Sequence, residues 1–240
     1  MLISTAGIIL RTVRHSDKST IVTVYTREAG RMSCVVYGMG NRKSAFRSAL
    51  FQALTLVEIQ VDMKAGNDLA RIREIRLGEP LNHLTTHPVK NAIALFLSEL
   101  LLKSLRQSES DPNLFSFLQH AILILDHMDE GTSNFHLVFM LRLAKHLGFA
   151  PSEVDVDATY FDLMNGVFEN SLPVHPHVVP RELMPDFRRL LQTGFDQLDE
   201  LSLSRARRNA LLEILIEYFR LHVSEFHHLQ SKEVLTELFN

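Results

Sequence analysis

Residues 20–26 read Thr-Ile-Val-Thr-Val-Tyr-Thr, and this stretch decides the fold class of the first third of the chain. β-branched and aromatic residues in such a run fit a pleated, half-buried strand far better than a helix. Residues 28–30 follow as a tight turn, because Gly30 can adopt a positive φ. Residues 32–37 then form a second strand, so the sequence predicts a β-hairpin here.

Further strands are predicted on both sides of this hairpin. Residues 7–13 are rich in aliphatic and β-branched side chains, and residues 54–61 alternate apolar and polar ones. Residues 69–77 form a fifth, charge-rich strand. Five short strands within residues 1–79 indicate a small closed barrel, because closure removes the exposed edges of a sheet.

From Pro80 onward the pattern becomes helical. Helices are predicted over residues 89–106, from Pro112 with Asp111 as its cap to His127, and over 134–147 between Ser133 and Gly148. Helices at 180–198, at 204–227 and after Ser231 follow, and Asn165-Gly166 is a hairpin turn. The predicted fold is therefore α+β, with a barrel domain at 1–79 and a helical domain at 80–240 that has an irregular insertion at about 152–180.

The charge is distributed unevenly along the chain. Residues 1–80 hold twelve Lys and Arg against seven Asp and Glu, a formal charge of +5, whereas residues 81–240 carry −8. A basic first part and an acidic second part indicate two modules with different partners, although compositional scatter gives the same imbalance.

The basic residues of the barrel are the best candidates for a functional site. Small barrels bind single strands with a cationic groove and stacking aromatic side chains, for which Tyr25, Tyr37 and Phe46 are available. The alternative is a solvated basic surface with the aromatic residues in the core. The candidate nucleic-acid-binding residues are Arg11, Arg14, Lys18, Arg27, Arg31, Arg42, Lys43, Arg47, Arg71 and Arg73, with Arg76 on the same strand.

Two regions of the helical domain are further candidates. Arg205, Arg207 and Arg208 lie in the first turn of a predicted helix, where they contact phosphate or only form a solvated face. The helix before Gly148 is apolar nearly all round. Such a helix is either the centre of a bundle or keeps one face for a partner peptide.

Enzymatic and metal sites find little support. The segment 38–44 ends in Lys-Ser but lacks the glycine spacing of a phosphate-binding loop, and no nucleophile elbow occurs. The pairs His175/His177 and His227/His228, with Asp155 and Asp157 as added ligands, do not have the spacing of a hydrolytic metal centre. The single cysteine, Cys34, is expected to be a small buried hydrophobe.

Cysteine usage and hydropathy indicate a cytoplasmic protein. One cysteine forms no disulfide framework, and no apolar run after the N-terminus resembles a signal peptide. The most apolar stretch, residues 92–105, is too short to span a bilayer.

Several motifs in order along the chain resemble the RecO family of bacterial recombination mediators. They are Asp17-Lys18-Ser19 with Glu28-Ala29-Gly30-Arg31, Asn41-Arg42-Lys43-Ser44 with Ala49-Leu50-Phe51-Gln52, Ser98-Glu99-Leu100-Leu101, Leu143-Ala144-Lys145-His146-Leu147-Gly148-Phe149-Ala150-Pro151 and Leu229-Gln230-Ser231-Lys232. The resemblance implies an OB-fold barrel followed by a helical domain, without catalytic activity or cofactor. Many members have a four-cysteine zinc site after the Leu-Gly-Phe segment, which this chain lacks.

The resemblance also implies a function in DNA repair and recombination after DNA damage. RecO proteins bind single- and double-stranded DNA, anneal strands, and with RecR help load RecA onto strands coated by single-strand binding protein (SSB). A protein of this kind is expected at the nucleoid. The loop with Arg42, Lys43 and Arg47 matches the DNA-binding loop, and the helix at 135–147 matches the region that receives the SSB tail. Its candidate partner-binding residues are Phe135, Val138, Phe139 and Arg142.

The sequence leaves two rival hypotheses open. One is a protein-interaction module that binds RecR or the SSB tail without appreciable DNA binding. The other is a metal-dependent hydrolase that uses His175 and His177.

Overall fold

The computed structural model describes residues 1–16, 18–37, 49–63, 69–107, 109–224, 226 and 228–238. The chain forms two compact units, Met1–His127 and Met128–Asn240. Among its described residues, the first unit has a five-stranded barrel and two helices, and the second is mainly helical. The predicted fold class is confirmed. The domain boundary at residues 79 and 80 stays a prediction, and two helices after it belong to the first compact unit.

The barrel consists of β1 (Leu2–Ser16), β2 (Ser19–Thr26), β3 (Gly30–Tyr37), β4 (Leu56–Asp62) and β5 (Leu69–Leu77). The strands close in the order β1-β2-β3-β5-β4, and only β3 and β5 pair in parallel. Closure is possible because β1 is long: its first half pairs with β4 and its second half with β2. A small five-stranded barrel of this kind is an OB-fold.

Alternation along the strands decides which side chains fill the barrel. Val22 and Val24 of β2 and Cys34 and Val36 of β3 belong to its buried core. Since successive strand residues point to opposite faces, positions 21, 23 and 25 and positions 33, 35 and 37 face outward. This register determines the geometry of the candidate site.

After the barrel, the described part of the first unit continues with α1 (Pro88–Ser104) and α2 (Pro112–His127). The carboxylate of Asp126 in α2 accepts hydrogen bonds from the backbone N–H groups of Asn82, His83 and Leu84 at 2.6–3.0 Å. Burial alone raises the pKa of Asp126, but these bonds outweigh it and bring the pKa below its ordinary value. The segment between the barrel and α1 is thereby held to α2.

The second unit contains α3 (Phe135–His146), α4 (Met184–Gln192), α5 (Arg205–His222) and α6 (Ser231–Leu238). A hairpin of β6 (Tyr160–Asp162) and β7 (Val167–Glu169) lies between α3 and α4, with Gly166 at φ +67°, as predicted. α3 is buried on nearly all sides, so it is the centre of this unit. Within the described residues, no helix is long and apolar enough to cross a membrane.

Of the two predicted end signals of α3, the structure confirms one and contradicts the other. Gly148 follows the helix at φ +86°, and Phe149 N–H donates to Ala144 O, so the predicted C-terminal glycine is confirmed. The predicted Ser133 cap is wrong. A 3-10 turn at Thr132–Asn134 precedes α3, and Asn134 at the cap position makes no side-chain cap bond. Its amide instead donates to Leu201 O and accepts from Arg208.

A polar cluster around Asp162 organises the insertion at 152–180. Its carboxylate accepts hydrogen bonds from Met164 N, Asn165 N and Asn165 Nδ2, and lies 3.3 Å from His175 Nε2. Burial raises the pKa of Asp162, but these bonds and the charge of His175 outweigh it and lower the pKa overall. Hydrogen bonds and packing thus stabilise this segment without thiolate ligands.

Candidate nucleic-acid interface

Helices cover one half of the outward surface of β1, β2 and β3. Ile8 and Tyr25 are outward residues with almost no exposure, and Tyr25 stacks on Phe115 of α2 with ring centroids 6.2 Å apart. The Ser98 hydroxyl of α1 donates to Leu10 O on β1. Burial raises the pKa of Tyr25 to about 12. Tyr25 is therefore a core residue and offers no surface for stacking bases.

Arg27 and Arg31 belong to this covered half. Arg27 lies 4.9 Å from the centre of the Phe115 ring and donates to Gln119 Oε1 at 3.2 Å. Arg31 donates to Leu102 O of α1, and burial lowers the pKa of its guanidinium. Both side chains join the barrel to the helices of the first unit. Their assignment to nucleic acid stays a prediction, and the observed contacts favour a structural role.

The other half of the outward surface is open, and we call it the open face. Its positions follow from two rows of paired residues across β1, β2, β3 and β5. One row is Arg11, Thr23, Ser33 and Leu69, and the other is Val13, Ile21, Val35 and Arg71, with Tyr37 beside the second row on β3. Adjacent strands are about 4.8 Å apart, so the rows span about 14 Å. The open face therefore has one arginine on each outer strand.

Tyr37 and Arg71 form a pair at one end of the open face. Tyr37 is 55% exposed, and the Arg71 guanidinium lies 5.1 Å from the centre of its ring. Val13 and Leu69 are 43% and 39% exposed. This end of the barrel thus presents an aromatic ring, a guanidinium and two aliphatic side chains to solvent.

The remaining basic candidates on the barrel lie outside the two rows of the open face. Arg14 and Lys18 are exposed at the end of β1 and in the β1–β2 turn. Arg73 forms an ion pair with Asp62, which is the β4 partner of Arg71 in the sheet. Arg76 is exposed near the end of β5. The three loop candidates and Phe46 lie outside the described residues: Arg42, Lys43 and Arg47.

The second basic cluster is largely occupied by contacts within the second unit. Arg208 donates to Asn134 Oδ1 and to Leu203 O, and burial lowers its pKa. Arg207 donates to Glu182 O at 2.9 Å and pairs with the Asp186 carboxylate. Two of these three arginines thus have structural partners, and Arg205 is exposed.

The candidate partner-binding residues of α3 lie mostly in the core. Phe135, Val138 and Phe139 are at most 1% exposed, and Phe135 stacks on Phe195 at 4.8 Å. Arg142 donates to Thr193 O at 3.0 Å. The burial of these three phenylalanine and valine side chains agrees with the interpretation of this helix as the centre of a bundle, since buried side chains present no surface to a partner. A partner site at this helix stays a prediction.

The histidine pairs do not assemble a metal centre in the part of the chain that the structure describes. His175 faces Asp162, and His177 Nδ1 lies 2.6 Å from Glu217 Oε1, but no group of three or more potential ligands converges there. His227 lies outside the described residues. Burial raises the pKa of Cys34 to about 12, so its thiol is a poor nucleophile.

Comparison with known proteins decides the family. The family model described as "Recombination protein O N terminal" matches residues 1–81, and "Recombination protein O C terminal" matches residues 86–233. The chain belongs to the RecO family. DNA repair protein RecO of Phocaeicola vulgatus is 38% identical over 241 residues, and that of Bacteroides fragilis is 37% identical over 245 residues. The RecO protein of Christiangramia forsetii is 32% identical over 240 residues, and all three alignments cover both chains completely.

RecO membership confirms the recognition made from the motifs and identifies a DNA repair protein. Sequence reasoning also named Arg11, Tyr37 and Arg71, but it missed their grouping with Val13, Ile21 and Leu69. The alternation of inward and outward residues along β1 and β2 could have revealed part of this grouping. The contact between Tyr37 and Arg71 depends on the parallel pairing of β3 with β5, which the sequence does not reveal.

Proposed function

We propose that this RecO-family protein binds DNA through the open face of its barrel, independently of sequence. Cations attract the phosphates of either single- or double-stranded DNA, and this term needs no base contacts. The observation that carries the proposal is that Arg11 and Arg71 are both exposed on the open face of the barrel. In OB-folds, a face formed by barrel strands binds oligonucleotides.

The proposal extends to a mediator role, in line with the family. The protein anneals complementary strands and, with RecR, helps load RecA onto strands coated by SSB, to which it is recruited through the SSB tail. It acts at the nucleoid as a binding protein, and none of these steps requires catalysis by this chain. The arginines of the open face would hold the phosphate backbone while bases of the bound strand remain accessible.

The test is fluorescence anisotropy of labelled single-stranded DNA over a series of salt concentrations. We expect Arg11→Ala/Arg71→Ala to weaken binding and to reduce the slope of log K against log salt by about 1.4, since each phosphate contact on a single strand contributes about 0.7. A matched control is Arg106→Ala. This arginine is exposed and precedes Gln107. Gln107 forms a β-bridge with Arg31, at the end of β3 that the helices cover. Six residues of strand separate Arg31 from Tyr37, a distance of about 20 Å.

An equal slope in the double variant and the wild type would remove the open face from the DNA site. Absence of wild-type binding at low salt would favour the alternative function, an interaction module for RecR or the SSB tail. The −8 charge of residues 81–240 favours this alternative, because it repels phosphate.

A further inference from the structure

We infer that Tyr37 and Arg71 form a stacking platform for unpaired bases, so that the open face distinguishes single strands from duplex DNA. This inference rests on the proposed function and deepens it. It assigns to the open face a second mode of contact, directed at bases rather than at phosphates.

The exposure of Tyr37 is the first reason. Tyr25 is an outward residue of the neighbouring strand, yet it is 1% exposed beneath α2, whereas Tyr37 is 55% exposed. A large aromatic side chain with half its surface in water gains little from folding at that position. Its exposure is useful where a flat ligand covers the ring.

The position of Arg71 is the second reason. Its guanidinium lies 5.1 Å from the centre of the Tyr37 ring, and the parallel pairing of Val35 with Arg71 holds the two strands in register. Both groups are planar and stack on aromatic surfaces. The guanidinium lies over one face of the Tyr37 ring, which leaves the other face for a base, and a ring and a cation are the two groups that single-strand binding sites combine.

The surroundings of the pair are the third reason. Val13 and Leu69 are exposed on the same face, and the half-buried Ile21 lies between the outer strands. Bases have apolar faces that lose water on such a surface, whereas the bases of a duplex are stacked on each other and not available. Apolar side chains on this face therefore favour unpaired strands over duplex DNA.

The first experiment compares Tyr37→Leu with the wild-type protein on three ligands. These are oligothymidylate, an abasic oligomer with the same number of phosphates, and a duplex of equal length. We expect Tyr37→Leu to weaken oligothymidylate binding by at least about fivefold. Its affinity for the abasic oligomer and the duplex should stay within about twofold, and the salt slope should not change, because no cation is removed. Tyr37→Phe keeps the ring and serves as the matched control, with affinity close to wild type.

The second experiment uses the absence of tryptophan from the chain. Tyr37→Trp introduces a single indole at the platform, so its fluorescence reports contacts at this position alone. We expect oligothymidylate to quench this fluorescence and the abasic oligomer to leave it nearly unchanged, since quenching requires a stacked base.

The two proposals fail in different ways. If Tyr37→Leu binds oligothymidylate as the wild type does, or weakens both oligomers equally, the platform is refuted. The open face would then remain a phosphate site as long as Arg11→Ala/Arg71→Ala reduces the salt slope. If the wild-type protein binds neither oligomer at low salt, the proposed function fails, and the platform fails with it.

Discussion

The stability of the second unit should depend on pH through His136. This histidine is 1% exposed in α3, beside the predicted partner-binding residues. Burial, with a smaller contribution from the charge of Arg208, lowers its pKa from the ordinary 6.5 to about 3. The side chain is therefore neutral in the folded protein and becomes protonated only when the chain unfolds.

The size of the effect follows from this difference. Between about pH 6.5 and pH 3 the unfolded chain binds a proton that the folded chain does not, so the free energy of unfolding falls by about 1.4 kcal/mol per pH unit. From pH 8 to pH 5 the loss is about 2 kcal/mol, a large part of a typical stability of about 5–15 kcal/mol. The contribution is complete above about pH 7.5 and decreases as the pH falls.

The assay is urea unfolding followed by far-ultraviolet circular dichroism at several pH values. His136→Gln removes the titrating group, so the variant should lose about 2 kcal/mol less than the wild type over the same interval. His120→Gln is the matched control, because His120 is exposed on α2, and it should follow the wild type. Parallel pH profiles of wild type and His136→Gln would refute the reasoning.

Two further predictions concern the barrel. The first replaces the three loop cations Arg42, Lys43 and Arg47 by alanine. The salt slope of single-strand binding should fall by about 2, and an unchanged slope in the anisotropy series would exclude the loop from the DNA site. Gly30→Ala should destabilise the first unit by more than about 2 kcal/mol, because Gly30 has φ +66° and a Cβ there would clash with the backbone of Glu109. Gly148→Ala also has a positive φ but no atom within 4 Å of its Cβ, so thermal unfolding should reveal a smaller loss for this control.

Local patterns were sufficient to predict the elements of the barrel. The run at 20–26 coincides with β2, and the predicted fifth strand at 69–77 coincides with β5. β1 is longer than predicted, Leu2–Ser16 instead of 7–13, because it pairs with two neighbours and contains two register shifts. Bulges of this kind let one strand serve both sides of a closed barrel, and they leave no clear periodicity in the sequence.

The burial of charged and aromatic candidates was harder to predict. Tyr25 and Tyr37 both face outward on adjacent strands, but at opposite ends of the β2–β3 pairing, and a helix that follows much later in the chain covers Tyr25. In the sequence, Arg27 and Arg31 look like Arg11, a basic residue of the barrel. In the structure, however, they donate hydrogen bonds to residues of α2 and α1. Tertiary packing between distant segments decides these cases, and a single sequence contains no direct record of it.

The small number of cations on the open face has a consequence for the mechanism. Arg11, Arg71 and nearby Lys18 would give a salt slope of about 2 on single strands, well below that of a protein with six or more phosphate contacts. Arg73 adds little to this potential, because its guanidinium is paired with the Asp62 carboxylate at 2.5 Å. Phosphate contacts on these strands alone would therefore give weak binding in the cell. Useful affinity requires either added cations from the loop at 41–48 or base stacking on Tyr37, and the two contributions separate experimentally, since only the first changes the salt slope.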